Sequence, residues 1–137
     1  MTSIERQIEN GLASALAGVS GLNIFKSDTE GLRLLPSLTI QCAIGSEELV
    51  PNSGVFRCPV TIVYSTRADT TTRADFDAKY QEILQVFYQD PNLASVLTTA
   101  TLKVFLANVT SESPEVIAAN RTWAKTLSLD ISCSTIN

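Results

Sequence analysis

Apolar positions recur at two spacings along this chain, and the switches between them mark its elements. Near the start, Ile4, Ile8, Leu12, Leu16 and Val19 follow one another at steps of four or three. That is a single apolar stripe on a helix of about four turns over residues 3–19. Thr2 and Glu5 stand at capping-box spacing ahead of it, and Gly18 and Gly21 close it. A short apolar piece at 22–25 follows, then a polar connection to Gly31.

The period then falls to two. Leu38, Ile40, Cys42 and Ile44 alternate with Thr39, Gln41 and Ala43, as on a strand with one buried face. Residues 45–54 carry Glu47, Glu48, Pro51 and two glycines and read as a connecting loop. A second strand over 55–65 sets Phe56, Cys58, Val60, Ile62 and Tyr64 against Arg57, Pro59, Thr61 and Val63. Pro59 has no N–H for a ladder, so this strand is expected at an edge or with a bulge there.

Thr72 and Asp75 form another capping box, opening a helix whose apolar face is Phe76, Tyr80, Ile83, Leu84 and Phe87 and which stops at Asp90-Pro91. A short helical turn is expected at 92–97. Residues 101–110 alternate Leu102, Val104 and Leu106 against Lys103, Phe105 and Val109. Residues 121–133 alternate Trp123, Leu127, Leu129, Ile131 and Cys133 against Thr122, Ala124, Thr126, Ser128, Asp130 and Ser132, one face buried and one wet. Between them, 111–120 holds Pro114 and an apolar centre, Val116-Ile117-Ala118-Ala119. This loop either folds back on the domain or contacts a neighbouring subunit. The order helix, strand, strand, helix, strand, strand predicts an α+β fold in one domain over 1–137. Its single antiparallel or mixed sheet of about four strands carries two main helices on one face.

Composition narrows the function. The 137 residues contain no histidine, which removes Ser-His-Asp and Cys-His catalysis, histidine metal sites and imidazole switching. Ten Lys and Arg against fourteen Asp and Glu leave a net charge of -4, without the cationic cluster that holding nucleic acid needs. The longest uncharged stretch, 10–25, is interrupted by glycines and too short to span a bilayer. The first ten residues carry Glu5 and Glu9 against Arg6, unlike the positive start of a signal peptide, so a soluble protein made in the cytoplasm is expected.

The candidate chemistry is thin. Cys42, Cys58 and Cys133 all fall on apolar strand faces and read as core packing in preference to redox groups; Cys42 and Cys58 could meet if their strands pair. Asp75 and Asp77 are two apart on a helix, so they do not share a face, and they suit the positive helix start. Glu47-Glu48 lies in a loop without a third ligand. The glycines at 18 and 21 stand at a helix end, whereas phosphate cradles open a helix. Residues 65–69, with Arg67, offer an anion site or a polar turn, and Asn108 and Asn120 head sequons of the kind a Thr-rich chain produces by chance. No catalytic, cofactor-binding or metal-ligating set emerges.

Three pieces together resemble the tail terminators and related neck, or head–tail joining, proteins of tailed bacteriophages. They are the amphipathic N-terminal helix, the strand–turn–helix from Val55 through Arg67-Ala68-Asp69-Thr70-Thr71 into the helix from Arg73, and the long closing strand from Arg121 to Cys133. The likeness lies in architecture over most of the chain, without an invariant motif. It implies a small α+β virion structural protein, not an enzyme, needing no cofactor and synthesised in the host cytoplasm. It implies self-association into a ring, commonly a homohexamer, that caps the tail tube and meets the head-side connector and, in contractile tails, the sheath. DNA would be passing cargo. Six copies would carry about six times the charge of one chain, and an excess of acidic over basic side chains on the pore wall would let phosphates slide past. Other neck, connector or sheath-adaptor roles share this outline. A small-molecule binding domain, with a pocket between helices and sheet, is the alternative of another class.

Overall fold

Two long strands organise the chain. In the computed structural model, which describes residues 4–26, 36–42, 46–47, 54–67, 72–88, 97–99, 102–112, 116–117 and 122–135, β4 (Val55–Arg67) and β7 (Thr122–Thr135) pair antiparallel from Val55↔Ser134 to Arg67↔Thr122. β2 (Ser37–Cys42) flanks β4, and β5 (Leu102–Glu112) flanks β7, both antiparallel. β1 (Asn23–Lys26) runs parallel to β2, giving the order β1-β2-β4-β7-β5. Two-residue strands extend the flanks: β3 (Ser46–Glu47) against β4 and β6 (Val116–Ile117) against β7.

The α+β class and the single sheet are as expected, with five main strands instead of four. The added strand is β1, at the short apolar piece, and its parallel pairing makes the sheet mixed. Within the expected loop at 45–54, residues 46 and 47 pair with β4. Val116 and Ile117 likewise pair with β7, so this part of the apolar loop folds back on its own domain.

One face of the sheet carries both helices. Leu38, Ile40, Cys58, Val60, Ile62, Tyr64, Leu127, Leu129, Ile131 and Cys133 are buried on it. Helix α1 (Ile4–Leu16) adds Ile8, Leu12 and Leu16, and the turn beyond it adds Val19. Helix α2 (Arg73–Phe87) adds Phe76, Tyr80, Ile83 and Phe87. Each fully buried apolar side chain contributes about 1.5–3 kcal/mol over leaving it in water. The α1 helix is shorter than its stripe, ending at Leu16 before Gly18, and Gly21 takes a left-handed φ of 79° on the way into β1. Gly11 packs closely under Leu97: a Cβ there would sit 2.8 Å from Leu97 Cδ2, so that side chain would have to shift.

Thr72 caps α2 as its spacing predicts. Its backbone is extended, and its Oγ1 accepts a hydrogen bond from the Asp75 N–H at 3.2 Å. The first capping residue, Thr2, the helix stop at Asp90-Pro91, Ile44, Glu48 and nearly all of the turn at 92–97 lie outside the described residues.

Pro59 is not on an edge strand, but the pairing on one side of it shifts register by one residue, from Cys42↔Val60 to Ser46↔Arg57. Its strand is interior, and the β4–β7 ladder passes it without a register shift, as Pro59↔Asp130. On the opposite side β2 ends against Val60 and β3 begins against Arg57, so Pro59 stands at the break between them. A residue without an N–H is tolerated where one of its neighbours is interrupted.

The alternation assigned to the fourth strand also changes partway. Register shifts between Val104 and Leu106, and again between Val109 and Ser111, mark bulges in β5. A bulge inserts one residue and reverses the faces beyond it. Leu106 therefore lies opposite Ser132 and is 47% exposed, while Ala107 and Val109 pack against the core.

Candidate functional site

Two regions stand out: a polar cluster inside the core and an apolar edge outside it. The cluster begins with Glu9, whose carboxylate is wholly buried in α1. Its Oε2 accepts from the Cys42 backbone N–H at 2.9 Å, and its Oε1 from Arg6 Nη1 at 3.2 Å. Glu9 thus ties the first helix to the end of β2. Charged hydrogen bonds of this kind contribute about 1.5–3 kcal/mol each. Glu9→Ala should lower the unfolding free energy by about that much, and Glu9→Gln, which keeps an acceptor, by clearly less. Urea denaturation reads both, and equal losses would show that the carboxylate does not hold β2.

Beside this anchor lie the thiols. Cys58 and Cys133 are buried with sulfurs 3.9 Å apart, Cys42 is half-buried, and none forms a disulfide. Cys58 thus meets Cys133 across β4 and β7, and Cys42, on the paired strand β2, also interacts with Cys58. The register sets Cys58 opposite Ile131 and Cys133 opposite Phe56, so the two are diagonal. Diagonal neighbours stand roughly 7–8 Å apart at Cα, beyond the ~6.8 Å limit that a disulfide spans. The Cys133 contact by itself draws the Cys58 pKa down. The hydrogen bond to Cys42, burial and the charges of Cys42 and Glu5 outweigh it and push Cys58 up to about 12. Cys133 is raised further, first by its bond to Cys58 and then by burial. Nucleophilic or metal-binding cysteine needs the thiolate, and here the environment holds the thiol. Among the described residues, no group of three or more Cys, Asp or Glu is placed to hold a metal ion.

A second polar contact joins α2 to the sheet. Tyr80 donates its O–H to Glu112, and Lys125 Nζ sits 4.2 Å from the Tyr80 ring centroid. Burial first, then the hydrogen bond and charge of Glu112, raise the Tyr80 pKa beyond its ordinary range. The phenol therefore keeps its proton and ties α2 to β5.

The remaining sequence candidates are scattered. Asp75 and Asp77 are exposed on α2, Asp75 in its first turn. Ser65, Thr66 and Arg67 complete β4, with Thr66 buried and Arg67 exposed; residues 68 and 69 are outside the described set. Gly18 and Gly21 flank a turn. Trp123 lies against α2, its ring 5.9 Å from Phe76.

Sequence reasoning missed the outer surface. Among the described residues, the exposed large hydrophobics are Tyr88 at 71%, Phe105 at 54% and Leu106 at 47%. Two of the three are adjacent on β5, at its first bulge. Strict alternation would have buried Leu106; only the extra residue of the bulge brings both outward. The sheet face away from the helices is dominated by Ser and Thr, with Thr61, Ser65, Thr126, Ser128, Ser132 and Ser134 around an Arg57–Asp130 ion pair.

No known family model matches the chain, and no curated protein matches it. Among the described residues, no helix is long and apolar enough to cross a membrane.

Proposed function

We propose that this chain is a structural subunit of a tailed-bacteriophage virion, assembling with its own copies into a ring at the head–tail interface as a tail terminator does. The observation that carries this reading is the outer edge of the sheet, where β5 presents Phe105 and Leu106 side by side to solvent. Exposed apolar side chains on an edge strand are a pairing surface unless something covers them. The resemblance in element order and in the long closing strand supplies the phage context, and the net charge of -4 suits a ring through which DNA passes without adhering. The ring's partners are the tail tube on one side and the head-side connector on the other, with other neck positions as the nearest variants of the same role.

Size-exclusion chromatography with light scattering, alone and with purified tail tubes, tests the reading. A ring-sized species, or one that forms on the tubes, is the expected result. A strict monomer in both conditions overturns it.

A further inference from the structure

The two ends of the sheet are unlike, and their polarity fits one to the other. β1 and β2 run one way, β4 the other, β7 back again and β5 opposite to β7, so β5 is antiparallel to β1. Among the described residues, β1 has β2 as its only strand neighbour and β5 has β7 as its only one. If β1 of a second copy is set beside β5 with helices on the same side, the strands meet antiparallel and the sheet continues. Such a contact joins different surfaces of the two copies, the heterologous kind that generates rings.

The edge of β5 is usable only in part. Thr98 Oγ1 accepts from the Val104 N–H at 3.1 Å and donates to the Val104 carbonyl at 3.5 Å, while the Thr99 N–H donates to the Leu102 carbonyl at 2.8 Å. These bonds occupy the edge up to the first bulge. Beyond it, Leu106–Val109 is the regular run before the second bulge.

Faces restrict the register to steps of two, and setting the apolar Phe25 against the apolar Leu106 selects one of them. On β1, Ile24 lies opposite Leu38 and packs against the core, so Phe25, opposite Thr39, points to the open face. On β5, Leu106 lies on the open face and Ala107 on the helix face. We infer that β5 of one copy pairs antiparallel with β1 of the next, placing Phe25 opposite Leu106 on the open face and Ile24 opposite Ala107 on the helix face. A like-with-like β5 pair would satisfy the edge but end at a dimer. This inference rests on the ring reading above and specifies its joint.

Cross-linking tests it. Within one copy, β1 and β5 are separated by four strand spacings, roughly 19 Å, too far for a disulfide. Directly opposed residues on paired strands fall within disulfide reach. In a Cys42→Ser background, Phe25→Cys with Leu106→Cys should give, on mild oxidation, a covalent ladder that stops at the ring size, while each single variant stays at the monomer. Covalent dimers from Leu106→Cys alone overturn the inference in favour of like edges. No ladder from a protein that light scattering shows to be a ring also overturns it, leaving the ring reading intact. Monomers throughout, with and without tail tubes, remove both. As a second readout, Leu106→Lys, at a half-exposed position, should abolish the ring at a concentration where the parent forms it, with the melting temperature within a few degrees of the parent. A ring that survives this substitution counts against the joint.

Discussion

Phe76→Ala should lower the unfolding free energy by about 3–5 kcal/mol, within the range for truncating a buried aromatic. Phe76 is wholly buried on the first turn of α2, with its ring stacked on Tyr64 at 4.9 Å and 8° and tilted against Trp123 at 5.9 Å. These three rings join the helix to β4 and β7 together, so removing the middle one leaves a cavity bounded by two rigid neighbours. Aromatic pairs add about 0.5–1.5 kcal/mol beyond the area they bury, which places the loss toward the upper end. Phe76→Leu, which refills part of the volume, should cost less than half as much. Thermal or urea denaturation measures both. If Phe76→Ala melts within about 3 °C of the parent, under 1 kcal/mol for a chain of this size, the cluster does not hold α2 to the sheet.

The partners of Phe76 were legible in the sequence, and so was the cap that starts its helix. Even-numbered positions of β4 and odd-numbered positions of β7 separate cleanly because both strands are long and buried on one side. Thr72 and Asp75 announced the cap because a hydroxyl three residues before an amide has one obvious partner. Short pairings left no such trace. β1 has four residues, too few for alternation to stand out, and its partner β2 lies across a connection. The residues of β3 and β6 pair only because β4 and β7 extend past β2 and β5 and offer backbone there.

The outer surface was illegible for a different reason. A bulge is a property of two strands held together, and one strand's alternation cannot reveal where the ladder will slip. Leu106 was placed inside by period and lies outside by register; the position of Pro59 likewise depends on where β2 stops. Glu9 was hidden similarly, since nothing in its own spacing marks a buried carboxylate until β2 brings the Cys42 N–H to it. The fold was therefore readable from side-chain period, whereas the candidate interface required the pairing itself.

A loss of stability in alkali is the second large effect expected, and its sign follows from protons that only the folded chain keeps. Cys58 is pushed from an ordinary 9.0 up to about 12, with the downward pull of Cys133 outweighed by its bond to Cys42, burial and neighbouring charge. Tyr64 is pushed from 10.0 up to about 12, by burial first and by the charge of Glu82 second. Cys133 and Tyr80 are raised in the same direction. At pH values between the unfolded and folded pKa, the unfolded chain has released protons that the native chain still holds, so stability falls as pH rises. The contribution is complete below about pH 9 and is lost between about 9 and 12. The melting temperature should change little from these groups up to pH 8.5 and fall steeply above it. In Cys58→Ala/Cys133→Ala the tyrosines remain, so the onset should move up toward pH 10. Adding Tyr64→Phe should flatten the curve further, because that ring then carries no proton to lose. A parent chain whose melting temperature holds steady to pH 11 would mean that water reaches these groups in the folded state, and the dry interior assigned to the face beneath α1 and α2 would be wrong.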